Sequence, residues 1–269
     1  MIFEAIVLGV IQGLTEFLPI SSSGHLILAQ WATGWTGTLI NNLTFDVSLH
    51  AGTLAALLWY FWRDWLSFGA AALRTVRGSA VEHEARLVWY IVLATIPAVI
   101  AGLRFNDLIE TAFRSPLLVS ATLIGGAAIM WLADRYSSRR RKLGGMTLGH
   151  ALFVGAAQAV ALIPGVSRSG ITISAALAAG YRREDAARFS FLLATPVIAG
   201  AAVYKLKDIS LSGDAAAGFV LGTLSSAVVG YLAIRFLIIY LQRHSLNLFV
   251  WYRIAVAAAA LALWFVRGA

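Results

Sequence analysis

The stretch "LTEFLPISSSGH" (residues 14–25) predicts a break in a helix, because it places a glutamate, three consecutive serines and a histidine around Pro19 in an otherwise apolar part of the chain. Proline interrupts a helix, and serine is a favoured N-cap of the helix that follows. A second stretch, "PGVSRSG" (164–170), repeats this order and adds Arg168. We therefore predict two helix starts, each preceded by a break in an apolar helix.

The composition indicates an integral membrane protein. Of 269 residues, 59% are hydrophobic and only 13% are charged, and the mean hydropathy is +0.78. Apolar runs that approach the ~20 residues a helix needs to cross a bilayer predict six spanning helices, near residues 45–66, 86–104, 116–134, 189–208, 214–235 and 247–266. The broken regions 1–30 and 147–180 are predicted to be re-entrant helical hairpins, because irregular backbone at membrane depth needs a cover of protein or a water-filled cavity.

The basic residues predict the orientation of these helices. The net charge is +8, and 14 of the 21 Lys and Arg residues fall on one side of the predicted layout, with five on the other. The richer side, anchored by the linker 135–146 with its run "RRRK", is cytoplasmic by the positive-inside rule, so both termini and the polar cavity face outward. This distribution indicates a membrane partner and no nucleic acid. The chain has no cysteine, which excludes disulfides and thiol catalysis.

A weak internal repeat relates the two halves of the chain. A shift of 146 places Gln12 on Gln158 and "ISSSG" on "VSRSG", and a shift of 144 places Tyr60, Arg63 and Asp64 on Tyr204, Lys207 and Asp208. Three predicted spans follow each hairpin, and an odd number reverses the direction of the second half. We therefore predict one all-α membrane domain over 1–269, in which an inverted repeat relates 1–134 to 147–269. Such repeats place their polar site near the bilayer midplane.

The residues of the two stretches predict an anion site with a nucleophile. Helix N-termini with hydroxyl side chains bind phosphate, and a guanidinium offers it a planar pair of donors. Arg168 is therefore a candidate phosphate ligand, and the alternative is a structural ion pair with Glu16. Ser22 and His25 lie three residues apart on one helix face, where histidine can accept the proton of a serine nucleophile. His25 attacking directly, or activating water, is the alternative.

Gln12 and Glu16 share another helix face, since they lie four residues apart. Glu16 has three possible roles: it orients His25, it acts as a base toward water, or it holds a divalent cation between phosphates.

"QGLTEFLPISSSGH" (12–25) and "PGVSRSGITIS" (164–174) resemble the two signature segments of the undecaprenyl-pyrophosphate phosphatases, the bacitracin-resistance protein family. The likeness extends through residues 45–65, 189–197 and 251–259. It implies catalytic roles for Glu16, Ser22, His25 and Arg168, and substrate binding by Gln12, Ser21, Ser23, Ser167, Ser169 and Thr172. Gln12 stands where the family also accepts glutamate, so a scheme with two acidic metal ligands loses one of them.

This resemblance implies removal of the terminal phosphate from a polyprenyl diphosphate, which recycles the lipid carrier of cell-wall synthesis and confers resistance to bacitracin. It places the protein in the bacterial cytoplasmic (inner) membrane as a multi-pass protein whose active site opens toward the periplasm. A divalent cation, Mg²⁺ or Ca²⁺, is expected with Glu16 as its ligand. The rival function is a lipid-phosphate flippase, or an enzyme that also flips its lipid, because inverted repeats are typical of transporters.

Three weaker features complete the predictions. Asp46 and His50 share a helix face, which suggests a secondary role near the entrance of the cavity. Arg253 lies close enough to the cytoplasmic end of its helix to snorkel, and pairing between helices is its predicted role. Gly218 and Gly222 form a GxxxG pattern, which suits close helix contact and is compatible with a homodimer.

Overall fold

The computed structural model describes residues 2–34, 43–76, 83–111, 115–205 and 215–267, and the regular structure in these ranges is helical apart from one isolated bridge. The helices are α1 (Ile2–Phe17), α2 (Ser22–Thr33), α3 (Leu43–Tyr60), α4 (Trp62–Val76), α5 (His83–Thr111), α6 (Pro116–Tyr136), α7 (Leu148–Val160), α8 (Arg168–Ala178), α9 (Arg183–Lys205), α10 (Ala215–Leu241) and α11 (Asn247–Val266). The predicted all-α membrane class is confirmed.

Five helices of the described ranges are long and apolar enough to cross a membrane, in α5, α6, α9, α10 and α11. They match five of the six predicted spans. The remaining prediction, 45–66, differs from the structure, because α3 ends at Tyr60 and α4 begins at Trp62. The apolar run reaches the charged pair Arg63 and Asp64 at that point, and α4 carries its apolar and polar residues on opposite faces.

Both predicted helix breaks are confirmed. The N-caps Ser21 and Ser167 have φ angles of 79° and 75°, and each hydroxyl accepts the backbone N–H three residues on, from Gly24 and Gly170. Non-glycine residues rarely adopt positive φ and keep it only where their surroundings impose it. The two caps therefore share the same backbone conformation and the same capping hydrogen bond, and they lie 146 residues apart, as the predicted repeat requires. Lys207 and Asp208, which belong to the second predicted match, lie outside the described residues.

The two helices that precede the breaks, α1 and α7, each pack closely against a long helix from the other half of the chain. A Cβ atom at Gly9 of α1 would lie 2.3 Å from the carbonyl oxygen of Gly222 in α10, and one at Gly155 of α7 would lie 2.1 Å from that of Ala94 in α5. Gly9 and Gly155 are again 146 residues apart. Gly222 also faces Phe45 and the backbone of Ala5, so this glycine of the GxxxG pattern serves packing within the chain. The predicted homodimer gains no support from it.

The predicted role of Arg253 in pairing helices is confirmed, and its side chain is fully buried and does not snorkel. Its guanidinium donates to backbone carbonyl oxygens of both helix breaks and of α6, at 2.8–3.3 Å, namely those of Pro19, Thr122, Leu123, Gly165 and Val166. A helix break leaves carbonyl groups without helical partners, and arginine supplies five donors in a planar group. This side chain therefore fastens the two breaks to each other and to α6.

We expect Arg253→Lys to lower the melting temperature of the detergent-solubilised protein by about 6–12 °C, since an ammonium leaves several buried carbonyls unsatisfied, at roughly 3 kcal/mol in total. Arg267→Lys is the matched control, because Arg267 also donates to two carbonyl groups but lies exposed. Thermal unfolding of both variants checks this. Equal melting temperatures for the two would contradict the fastening role of Arg253.

Candidate active site

Glu16 in the last turn of α1 is the centre of the polar site. Its side chain is 6% exposed, and its Oε2 accepts hydrogen bonds from Ser22 Oγ at 2.6 Å and from Gln12 Nε2 at 3.0 Å. Its Oε1 accepts one from the guanidinium of Arg168 in the first turn of α8. One carboxylate thus joins both helix breaks, and the two predicted stretches meet at a single point.

The ion pair between Arg168 and Glu16, which the sequence offered as the alternative to an anion ligand, is present. Arg168 uses only one guanidinium nitrogen for it, and within the described ranges its Nε and second terminal nitrogen donate to no protein acceptor. The side chain remains 16% exposed. The ion pair and an anion site are therefore compatible, because donors remain for phosphate oxygens.

The two N-caps leave further donors at the same place. In each first turn the cap satisfies two N–H groups, those of Gly24 and His25 in α2 and of Gly170 and Ile171 in α8. Those of Ser22, Ser23, Arg168 and Ser169 have no acceptor in the part of the chain that the structure describes. Unpaired N–H groups and the positive ends of two helix dipoles favour an anion between them.

The serine and threonine hydroxyl groups divide into two sets. Those of Ser167, Ser169 and Thr172 are buried, and they bind within the protein: Ser167 caps α8, Ser169 donates to the carbonyl of Leu18 at 3.1 Å, and Thr172 donates to that of Arg168 at 2.7 Å. Ser21 likewise caps α2. Ser22 is half-buried and Ser23 is exposed. Among the predicted hydroxyl ligands, these last two are the ones that a substrate reaches.

The predicted pairing of Ser22 with His25 as its base is not matched by a hydrogen bond between them among the described residues. Ser22 donates to Glu16, and His25 Nδ1 lies 2.7 Å from the carbonyl oxygen of Ser21 while Nε2 lies 3.0 Å from the hydroxyl of Tyr252. Spacing along α2 brings the two side chains to one face, but it does not orient the imidazole. The carbonyl of the preceding turn and a tyrosine from α11 do.

Two residues of the site, His50 and Tyr252, were not among the catalytic or binding residues predicted from the sequence. His50 of α3 places its Nε2 3.8 Å from Glu16 Oε2 and its Nδ1 2.8 Å from the carbonyl oxygen of Asp46. The pairing of Asp46 with His50 on one helix face was the signal for it. Tyr252 was not predicted at all, although it adjoins Arg253 in the segment 251–259.

Few side chains of the site could bind a divalent cation. No group of three or more His, Asp or Glu side chains that suits a metal occurs in the described ranges. Beside Glu16, however, the Oε1 atom of Gln12 is buried and has no hydrogen-bond partner there. One carboxylate oxygen and one amide oxygen suit a cation that takes its other ligands from phosphate and water, as Mg²⁺ commonly does. The residues present therefore fit a cation shared with a diphosphate.

Comparison with known proteins shows the family of this chain. The family described as bacitracin resistance protein BacA matches residues 5–259. The undecaprenyl-diphosphatase of Pelotomaculum thermopropionicum is 47% identical over 262 residues, which cover 97% of this chain and 96% of that protein. Proteins of the same name from Desulforudis audaxviator and Moorella thermoacetica are each 48% identical over 266 residues, which cover 99% of both chains. The chain belongs to the bacitracin resistance protein family, BacA.

Proposed function

We propose that the protein is an undecaprenyl-diphosphatase of bacterial membranes, which hydrolyses a polyprenyl diphosphate to the monophosphate and phosphate and so confers bacitracin resistance. The family and the relatives' names support this activity. The observation that carries it is the position of Glu16, whose carboxylate holds a serine hydroxyl on one oxygen and an arginine on the other. A nucleophile, a base and a cationic phosphate ligand are thereby within one hydrogen-bonded group.

The diphosphate binds between the starts of α2 and α8. Its terminal phosphate accepts hydrogen bonds from the free N–H groups of the two first turns and from the guanidinium of Arg168, with the exposed hydroxyl of Ser23 beside it. A cation held by Glu16 and Gln12 would neutralise part of the diphosphate charge. The polyprenyl tail leaves the site along the apolar helix surfaces into the bilayer.

Ser22 is the nucleophile in this proposal. Its Oγ bonds to the terminal phosphorus while its proton moves to Glu16 Oε2, 2.6 Å away, and the bond from that phosphorus to the bridging oxygen breaks, which releases the polyprenyl monophosphate. Arg168 and the helix N-termini stabilise the charge on the transferring phosphoryl group. Glu16 takes the role of base toward Ser22 that the sequence assigned to His25, because Glu16 is the group in contact with that hydroxyl.

His25 acts in the second step. Water attacks the phosphorus of the phosphoserine, its proton passes to His25, and the bond between phosphorus and Ser22 Oγ breaks as Oγ recovers its proton from Glu16. Inorganic phosphate leaves, and His25 returns its proton to solvent. His25 receives the proton at Nε2, since Nδ1 already donates to the carbonyl of Ser21.

The membrane topology of this proposal is six spans with two re-entrant hairpins in an inverted repeat. In it α3, with 18 residues, is the sixth span. The matching caps and the matching close contacts at Gly9 and Gly155 support the repeat. The exposed arginines of the linker 135–146 support a cytoplasmic location for it, and the site then opens toward the periplasm of the inner membrane.

For this orientation, we expect a cysteine at Ser138 to resist an impermeant thiol reagent in intact cells, because it lies in the cytoplasmic linker. A cysteine at Thr33, exposed near the end of α2, should react. The chain has no native cysteine, so each variant carries a single thiol, and disruption of the cells should make both react. Labelling of the Ser138 variant alone in intact cells would reverse the orientation.

Phosphate release from undecaprenyl diphosphate by the purified protein in detergent tests the function itself. We expect release of one phosphate and accumulation of the monophosphate. A flippase makes the opposite forecast, transbilayer movement of lipid in vesicles without phosphate release, and that result would refute the phosphatase.

A further inference from the structure

Tyr252 holds the one nitrogen of His25 that can accept a proton. Its hydroxyl lies 3.0 Å from His25 Nε2, and the two rings are parallel within 9°, with centroids 5.6 Å apart. On the opposite side of the imidazole, the carbonyl of Ser21 lies 2.7 Å from Nδ1. The ring is therefore fixed between α2 and α11.

The partners determine the tautomer of His25. A carbonyl oxygen only accepts, so Nδ1 carries the hydrogen and donates it to Ser21. In the neutral ring, Nε2 then has a single lone pair, and the hydroxyl of Tyr252 donates to it. Any proton that reaches His25 must therefore come from this hydroxyl or displace it.

The side chain of Tyr252 is only partly covered by protein. The residue is 42% exposed, whereas its neighbour Arg253 is fully buried. A phenol is at once a donor and an acceptor. While its hydrogen points to Nε2, its oxygen lone pairs accept no hydrogen bond within the described ranges, so they are free to accept one from the attacking water.

Resting on the proposed phosphatase function, we propose that Tyr252 is a further catalytic residue that relays a proton from the attacking water to His25. As water bonds to the phosphorus of the phosphoserine, the bond from phosphorus to Ser22 Oγ breaks and Glu16 returns its proton to Oγ. One proton of the water moves to the Tyr252 oxygen. The hydrogen of that hydroxyl moves at the same time to His25 Nε2. Tyr252 ends the step neutral and His25 ends it protonated, so the step balances without another reactant.

The relay predicts that Tyr252→Phe slows hydrolysis of the phosphoenzyme about 100-fold, within the range of general acid–base catalysis, while formation of the phosphoenzyme stays near its normal rate. In a His25→Ala background the same substitution should have no further effect, because both residues act in one proton transfer. Rapid-quench assays that separate phosphoenzyme from released phosphate measure both steps. In the native protein, hydrolysis in H₂O–D₂O mixtures should show a curved proton inventory, since two protons move together.

Tyr181→Phe is the matched control. Tyr181 also bonds a histidine through its hydroxyl, 2.9 Å from His150 Nδ1, at the far end of α8. This control should keep its hydrolysis rate, and melting temperatures show whether either variant is unfolded. A normal rate in Tyr252→Phe, a further loss in the His25→Ala background, or a linear proton inventory would each overturn the relay while native activity stands. Absence of phosphate release from the native protein would instead refute the proposed function.

Discussion

Ser22→Ala is expected to reduce phosphate release by about 10⁴-fold or more, because it removes the nucleophile and leaves only the anion pocket. Ser23→Ala is the matched control, since Ser23 occupies the same first turn of α2 but its hydroxyl does not contact Glu16. We expect this control to lose less than about 10-fold, the typical cost of one hydrogen bond to substrate. Initial rates of phosphate release from undecaprenyl diphosphate check both variants.

The chemical form of trapped phosphate shows which residue attacks. His25→Ala should accumulate an acid-stable phosphoserine, because the nucleophile is intact and the second step is impaired, and Ser22→Ala should form no phosphoprotein. Acid-labile phosphate in Ser22→Ala would identify His25 as the nucleophile. Substantial turnover in Ser22→Ala without any phosphoprotein would show that water attacks the diphosphate directly. Either result would overturn the assignment of Ser22 while the phosphatase function stands.

Glu16→Gln is expected to lower kcat by about 10³-fold, within the range of loss for a general base. The amide keeps the shape of the side chain but cannot accept the Ser22 proton, and it no longer pairs with Arg168. Glu16→Asp keeps the charge and shortens the reach, so we expect an intermediate loss. Turnover measured at saturating lipid separates this effect from weaker binding.

Glu4→Gln provides the control for Glu16, because it removes a carboxylate from the opposite end of the same helix, α1. It should keep near-native kcat. Retention of more than about a tenth of native kcat by Glu16→Gln would exclude Glu16 as the base of the first step, and His25 would then be the remaining candidate.

Local chemistry in the sequence determined where the helices break. Proline and glycine end α1 and α7, and serine caps α2 and α8, because these effects depend on residues a few positions apart. The apolar lengths determined five spans for the same reason. The inverted repeat in the sequence also placed Glu16 and Arg168 at two helix breaks that face each other, with their ion pair as the alternative to an anion ligand. What it did not determine was the division at Phe61, where charged residues end an apolar run that looked continuous.

The partners of the side chains were decided only by the tertiary structure. Tyr252 meets His25 across a separation of 227 residues, and Arg253 reaches carbonyl groups of both helix breaks. Spacing along α2 indicated that Ser22 and His25 share a helix face. In the structure, however, the hydroxyl of Ser22 donates to Glu16 of α1, and the imidazole of His25 bonds to Tyr252 of α11. Helical periodicity fixes which face a residue occupies, because it depends on backbone geometry alone. Which donor meets which acceptor depends on how the helices pack, and that packing places α11 beside the start of α2.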